Sequence, residues 1–183
     1  MMCGEQCLLR GVGSAHPAKE DRAAGRGLIK FKKGGGTTMM KSKLIHEHGG
    51  ERTFALIFEM GDEVMTNLIS FVAKHKIGGA RISAIGAFRD VTLGYFDWEK
   101  KDYRKIPVQE QVEVLSLLGD VALKDDRPTI HAHVVVGRSD GSTMGGHLVE
   151  AHVRPTLEVM LVESPEHLRK QVDPESGLAL IRL

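Results

Sequence analysis

From residue 53 onward the apolar positions fall mostly into short runs with a two-residue rhythm, and one stretch alone has a helical rhythm. Residues 53–60, TFALIFEM, form a compact apolar run ending at Gly61-Asp62, which predicts a buried strand followed by a turn. Asp62 suits an N-cap, and after it Val64, Leu68, Phe71 and Val72 recur at i, i+4, i+7 and i+8. Glu63 near the start and Lys74, His75 and Lys76 near the end complement the helix dipole, and Gly78-Gly79 supplies a stop. The pattern predicts one helix over 63–76.

Beyond Gly79 the rhythm is that of strands. Residues 80–88, 91–96, 111–117, 129–136, 143–149 and 156–162 each read as a strand, with Arg89-Asp90 separating the first two and Asp140-Gly141 marking a turn. Ser164-Pro165 predicts a short helical piece through Gln171, and residues 178–183 a terminal strand. Most of these strands follow one another without helical crossovers. The expected class is therefore α+β: one domain, a largely antiparallel sheet, and one main helix packed on it.

A chain of 183 residues has room for one domain with a substantial core and little room for two. No apolar stretch approaches the ~18 residues of a membrane span. The first fourteen residues, MMCGEQCLLRGVGS, lack the apolar run of a secretory signal. Two cysteines cannot build a disulfide framework. These features predict a cytoplasmic globular protein with no membrane partner.

The charge is unevenly placed. Residues 1–38 carry seven Lys or Arg and three Asp or Glu, whereas the whole chain has 25 and 24; the remainder from Met39 therefore has 18 and 21, a net charge of −3. The first 38 residues read as a basic arm able to touch nucleic acid, as a tail without a role, or as translated sequence upstream of the natural start. Lys32-Lys33-Gly34-Gly35-Gly36 just ahead of Met39-Met40 has the codon character of a purine-rich ribosome-binding site, so the expected start is Met39 or Met40 and the domain spans 39–183. Cys3 and Cys7 lie in this arm without further ligands nearby for a zinc knuckle.

Candidate chemistry concentrates in HAHVVVGRSDGSTMGGHL, residues 131–148, which holds three of the nine histidines. His131 and His133 are two apart on a predicted strand and so share a face. The position of His147 depends on the hairpin register. A two-residue Asp140-Gly141 loop would set His147 opposite Val134, on the other face. A three-residue loop, Ser139-Asp140-Gly141, with Gly141 in the left-handed conformation of a G1 bulge, pairs His133 with His147. The second register leaves Ala132, Val134, Val136, Met144 and Leu148 on the opposite face, which suits a core, and gathers three imidazoles on one surface. Three His on a sheet face form a first shell for zinc or a similar divalent metal with an open fourth position; the alternative is that they bond to neighbours or to an oligomer partner. Gly145-Gly146 removes bulk beside His147, for another backbone or a ligand.

Glu113 sits in VEVLSLLG and by alternation shares a face with Leu115 and Leu117, so it reads either as a buried carboxylate needing a His, Arg81, Arg89 or metal partner, or as a solvated edge position. In a metal-dependent reaction it would be the general base. His152 could extend the cluster, His46 and His48 lie near a strand end, and His75 and His167 read as exposed helix positions. Gly137-Arg138-Ser139-Asp140-Gly141 spells G-x-S-x-G but falls in a predicted strand–turn–strand, not the strand–turn–helix of a nucleophile elbow, and no G-x-x-x-x-G-K loop occurs.

Taken in order, ARISAIGAFRDVTLGYFD, VEVLSLLGDVA and HAHVVVGRSDGSTMGGHL resemble the PPC (plants and prokaryotes conserved) domain, over about residues 52–183. The resemblance implies a single α+β unit with an antiparallel sheet that assembles as a homotrimer. It marks His131, His133, His147 and Glu113 as the site, with a divalent metal as occupant. In plants the domain is fused to AT-hooks in nuclear DNA-binding regulators, and bacterial and archaeal members are mostly single domains, so DNA or regulatory proteins are the implied partners. An AT-hook needs Arg-Gly-Arg-Pro, and here Gly25-Arg26-Gly27-Leu28 has neither the second Arg nor the Pro. Two readings result: a trimeric regulator binding DNA or proteins, and a metal-dependent enzyme or small-ligand binder using the histidine site.

Overall fold

The computed structural model describes residues 40–183; the arm 1–38, with Cys3, Cys7 and His16, and Met39 lie outside the described residues. Nine strands and one helix follow in the order β1 (Lys41–His48), β2 (Glu51–Glu59), α1 (Val64–Lys74), β3 (Gly79–Asp97), β4 (Asp102–Val108), β5 (Val112–Lys124), β6 (Arg127–Gly137), β7 (Thr143–Glu163), β8 (Arg169–Val172) and β9 (Ala179–Arg182). The strands order as β1-β2-β7-β3-β5-β8-β9, with β4 on β3 and β6 joining β5 to β7. Because β3 pairs with β5 and β7, and β6 pairs with the same two strands, these four form a closed ring of pairings. Every pairing is antiparallel except β5 with β8, which meet in parallel at Leu123 and Arg169.

This architecture corrects the α+β expectation. The helix is 11 residues long against nine strands, and the sheet closes on itself rather than lying open beneath a helix. Three features hid this from the pattern. The strands expected at 80–88 and 91–96 are one 19-residue strand, β3, which passes through Arg89-Asp90 with register shifts instead of turning. Those expected at 143–149 and 156–162 likewise merge into the 21-residue β7. Bulges let strands this long bend around a ring. The helical piece expected at 164–171 is absent as well. There the Leu168 N–H bonds the Gly78 carbonyl at 3.1 Å and the Leu168 carbonyl receives the Leu123 N–H at 2.8 Å, leading into β8. Two turns of helix nucleate poorly, and these tertiary bonds outweigh the local preference.

The helix keeps its predicted face. Val64, Leu68, Phe71 and Val72 are fully buried, and α1 lies on β6 and β7. Its cap differs from expectation by one residue: Glu63, not Asp62, accepts from the Met65 and Thr66 N–H groups at 3.0 and 2.6 Å. Asp62 turns back instead to accept from the Glu59 N–H at 2.8 Å. The stop also comes before Gly78. Lys76 adopts φ +55°, and the Ile77 and Lys76 N–H groups reach the Val72 and Ala73 carbonyls, a Schellman closure built on a lysine. Among the described residues no helix is long and apolar enough to cross a membrane.

Candidate metal centre

Along β6 the side chains alternate cleanly. Ala132, Val134 and Val136 are buried, and His131, His133 and Val135 face outward. The connection to β7 fixes what stands beside them. The Arg138 N–H bonds the Ser142 carbonyl at 2.8 Å, leaving Ser139, Asp140 and Gly141 as the loop, with Gly141 at φ +81°. Only a residue without a Cβ takes that conformation cheaply. The three-residue loop sets Val136 against Met144 and His133 against His147. Gly146, next to His147, is required by a close approach: a Cβ there would lie 2.8 Å from the Gly94 carbonyl oxygen on β3. It is another backbone, rather than a ligand, that occupies the space Gly146 leaves.

The three imidazoles converge. One nitrogen from each of His131, His133 and His147 lies within 4.8 Å of the other two. The His131 and His133 Nε2 atoms are 3.2 Å apart. Two nitrogens bound to a tetrahedral zinc at about 2.0–2.1 Å would be separated by about 3.4 Å, so this pair already has the spacing of one tetrahedron edge. The Tyr103 ring, from β4, stacks on His147 at 4.8 Å between centroids and 32° between planes, which limits how that imidazole can turn.

The electrostatics favour unprotonated rings. Burial, then the neighbouring charges of His131, His133 and Lys170, push His147 down to about 4. Burial followed by the charge of His131 lowers His133 as well. Both are therefore neutral near pH 7, with lone pairs free. The His147 Nδ1 is buried without a hydrogen-bond partner, an unsatisfied nitrogen of the kind a bound cation satisfies. The residues present thus fit a divalent metal in spacing and donor type.

Glu113 does not join them. It pairs with Gly137, four residues beyond His133 on β6, or about 13 Å along the strand. Its side chain is exposed on the rim of a shallow depression with Ile85, Leu115 and Glu158. The register of β5 shifts between Val114 and Ser116, so Glu113 and Leu115 point outward while Leu117 turns into the core. That bulge breaks the alternation that placed Glu113 with Leu117. His152 is engaged elsewhere, its Nδ1 2.7 Å from Asp90 Oδ1. His46 and His48 are exposed on β1, and His75 ends α1, stacked on Phe71 at 4.3 Å.

Two charged residues near the imidazoles are not among the positions the sequence pattern singles out. Asp120 on β5 is the register partner of His131, and Lys170 on β8 pairs with Asp120. Burial pushes the Asp120 carboxyl up, but the nearness of His131 and Lys170 to its two oxygens outweighs it and holds it below its usual range. A signal for Asp120 does exist. Asp125 and Asp126 both have positive φ, a two-residue hairpin loop that pairs Lys124 with Arg127 and hence Asp120 with His131. Lys170 has none, because its strand pairs locally with β9 and meets β5 only at Leu123 and Arg169, a contact distant in sequence.

Fold and site together define a class of protein: a domain almost wholly of β-structure with a trio of imidazoles on the outer face of its ring of strands. The chain belongs to the Plants and Prokaryotes Conserved (PCC) domain family, also written PPC, whose model matches residues 45–165. Solved structures agree. A PPC protein of Pyrococcus horikoshii is 37% identical, with 75% of this chain and 98% of that one covered at a TM-score of 0.68. A metal-containing protein of Archaeoglobus fulgidus is also 37% identical, with 77% and 99% covered at 0.67. A candidate DNA-binding protein of Bacteroides thetaiotaomicron is 26% identical, with 78% and 96% covered at 0.71. Among curated proteins, the bifunctional protein GlmU of Synechococcus sp. (strain JA-3-3Ab) is 29% identical over 132 residues, and the chain spans only 20% of its length.

Proposed function

We propose that this protein is a self-associating metal-binding domain in which His131, His133 and His147 hold a divalent cation whose remaining side takes a small ligand. The observation that carries the reading is the convergence of the three ligand nitrogens within 4.8 Å. An all-imidazole set suits zinc and its transition-metal neighbours and suits calcium or magnesium poorly. The similar Archaeoglobus protein, described as metal-containing, supports it. The bound ion would supply Lewis acidity and an open coordination position. This chain's own residues supply the rest: His131 and His133 are exposed, so the approach is from solvent, and Tyr103 walls one side of His147. Glu113, far along the ladder, has no part in this reading.

The homotrimer implied by the family resemblance is supported by an outward apolar face. Ile85, Leu115, Leu118, Val135 and Met160 are all at least 40% exposed, and Leu118 pairs with His133 across the ladder. Apolar patches of this kind mark association surfaces.

The test is elemental analysis of untagged protein, wild type and His133→Ala. Near-stoichiometric zinc or another transition metal, lost in the variant, is the expected result. Metal missing from both, with none taken up on titration, would overturn the reading. DNA binding is the second reading, favoured by the descriptions of the Bacteroides protein and of a candidate DNA-binding protein from Ralstonia eutropha JMP134. The −3 balance of residues 39–183 opposes it, since non-specific affinity comes from Lys and Arg on phosphates. Fluorescence anisotropy with duplex DNA decides: affinity that falls steeply with salt supports it, and no binding at low salt removes it.

A further inference from the structure

Beyond the three imidazoles, the side chain in the least ordinary place is Lys170. Lysine heads normally reach water, yet this side chain is only 5% exposed, with Nζ 2.9 Å from Asp120 Oδ1. A buried ammonium is costly unless paired, so the fold gives up stability to keep a cation there. The other carboxylate oxygen, Asp120 Oδ2, lies 3.6 Å from His131 Nδ1. The opposite ring nitrogen, His131 Nε2, is the one aimed at His133. Lys170, Asp120 and His131 thus form a line running from the interior to the imidazole cluster.

We propose that Asp120 is the positioning residue of this centre: it keeps the proton of His131 on Nδ1 and the Nε2 lone pair toward the cation, while Lys170 holds Asp120 in the outer shell. The inference rests on the metal reading above. A neutral imidazole has two tautomers of similar energy, and the ring can ligate from its inner edge only when Nε2 carries no proton. A carboxylate at Nδ1 selects that tautomer, and outer partners of this kind raise ligand basicity and fix ring orientation. At 3.6 Å the carboxylate is a few tenths of an ångström beyond hydrogen-bond length, and a small rotation brings it into range. Lys170 contributes the other half. By occupying Oδ1 it prevents the carboxylate from swinging onto the cation as a fourth ligand, which keeps that position open.

The experiment uses the full chain and two readouts. In metal-free protein, long-range ¹⁵N–¹H spectra of the imidazoles report the His131 tautomer. Competition against a chelator gives zinc affinity, with cobalt(II) absorption as a check on ligand number. Asp120→Asn is expected to lose the fixed Nδ1–H tautomer and to bind zinc about 10- to 100-fold more weakly. That variant leaves Lys170 buried and unpaired, so it is made also as the pair Asp120→Asn with Lys170→Met, which removes both charges and is expected to show the same losses in a folded protein. Lys170→Met alone is expected to keep the tautomer. Unchanged tautomer or unchanged affinity in the folded double variant overturns the positioning role. Wild type that takes up neither zinc nor cobalt overturns the metal reading and this inference with it.

Discussion

His133 stands directly across the β6–β7 ladder from His147, and the loop of Ser139, Asp140 and Gly141 sets that relationship. Side chains alternate with a period of two, so a shift of one residue in register sends His147 to the core face and Leu148 outward. The same loop length therefore assembles both the hydrophobic interior and the imidazole trio. Deleting Ser139 is expected to abolish metal binding, because the imidazole and the leucine cannot both keep their faces. Elemental analysis beside a thermal melt checks this. A deletion variant that binds metal with wild-type stoichiometry would show that the register is not set by the loop.

Much of this site is legible in the amino-acid sequence, and the reason is physical. His131, His133, His147 and the buried Ala132, Val134 and Val136 belong to one hairpin, where alternation and a Gly in the loop suffice to settle the register. The helix face of Val64, Leu68, Phe71 and Val72 is legible for the same local reason. What the pattern misses is non-local. The bulge in β5 that turns Glu113 away from Leu117 has no marker in VEVLSLLG, and the passage of β3 through Arg89-Asp90 depends on its partners β4 and β7. Edge strands β1 and β4 each pair with a single neighbour and are mostly polar, so their hydrophobic signal is weak. Pro107 in β4 is tolerated for that reason, an edge strand having one side without a ladder.

The clamp between Arg52 and Glu163 ties β2 to the end of β7. The guanidinium meets the carboxylate twice, Nε to Oε2 and Nη2 to Oε1, the latter at 2.9 Å, and Nη2 also donates to the His75 carbonyl at 3.1 Å. Glu163 is 8% exposed, so losing its partner strands a buried charge. Arg52→Met is expected to cost about 3–5 kcal/mol in urea unfolding. Arg52→Met with Glu163→Met is expected to recover most of that loss, because neither charge then remains to be desolvated. A single variant within about 0.5 kcal/mol of wild type, as is usual for exposed pairs, would mean that the pair is solvated in solution.

Acid should weaken the metal-free fold through His75. Burial first, then the charges of Lys74 and Arg52, lowers its pKa below the ordinary 6.5. The folded ring is therefore less basic than the unfolded one. Its contribution is present in full above 6.5, begins to be lost as the unfolded chain takes up a proton below that value, and is lost entirely once pH falls through the folded pKa. The urea midpoint measured in chelator is expected to fall across this window, and to fall less in His75→Gln. The same slope in both proteins would assign the acid sensitivity to other groups.

Leu118 offers the sharpest test of association. It is 62% exposed, lies opposite His133 on the outer face, and aligns through Ser83 with Met160 on β7. An apolar side chain at such a position gains nothing from the fold of its own chain, whereas burial against a second copy would stabilise an assembly by about 1.5–3 kcal/mol per leucine. Leu118→Asp places a charge where a neighbour's apolar surface would sit and leaves the single-chain core untouched. Light scattering after size exclusion is expected to show a trimer for wild type and a monomer for the variant, with circular dichroism unchanged. Because the substitution touches the strand that pairs with His133 without altering a ligand, zinc affinity measured on the resulting monomer also separates a site complete in one chain from one that needs its neighbour. A variant of wild-type mass would move the interface away from this face.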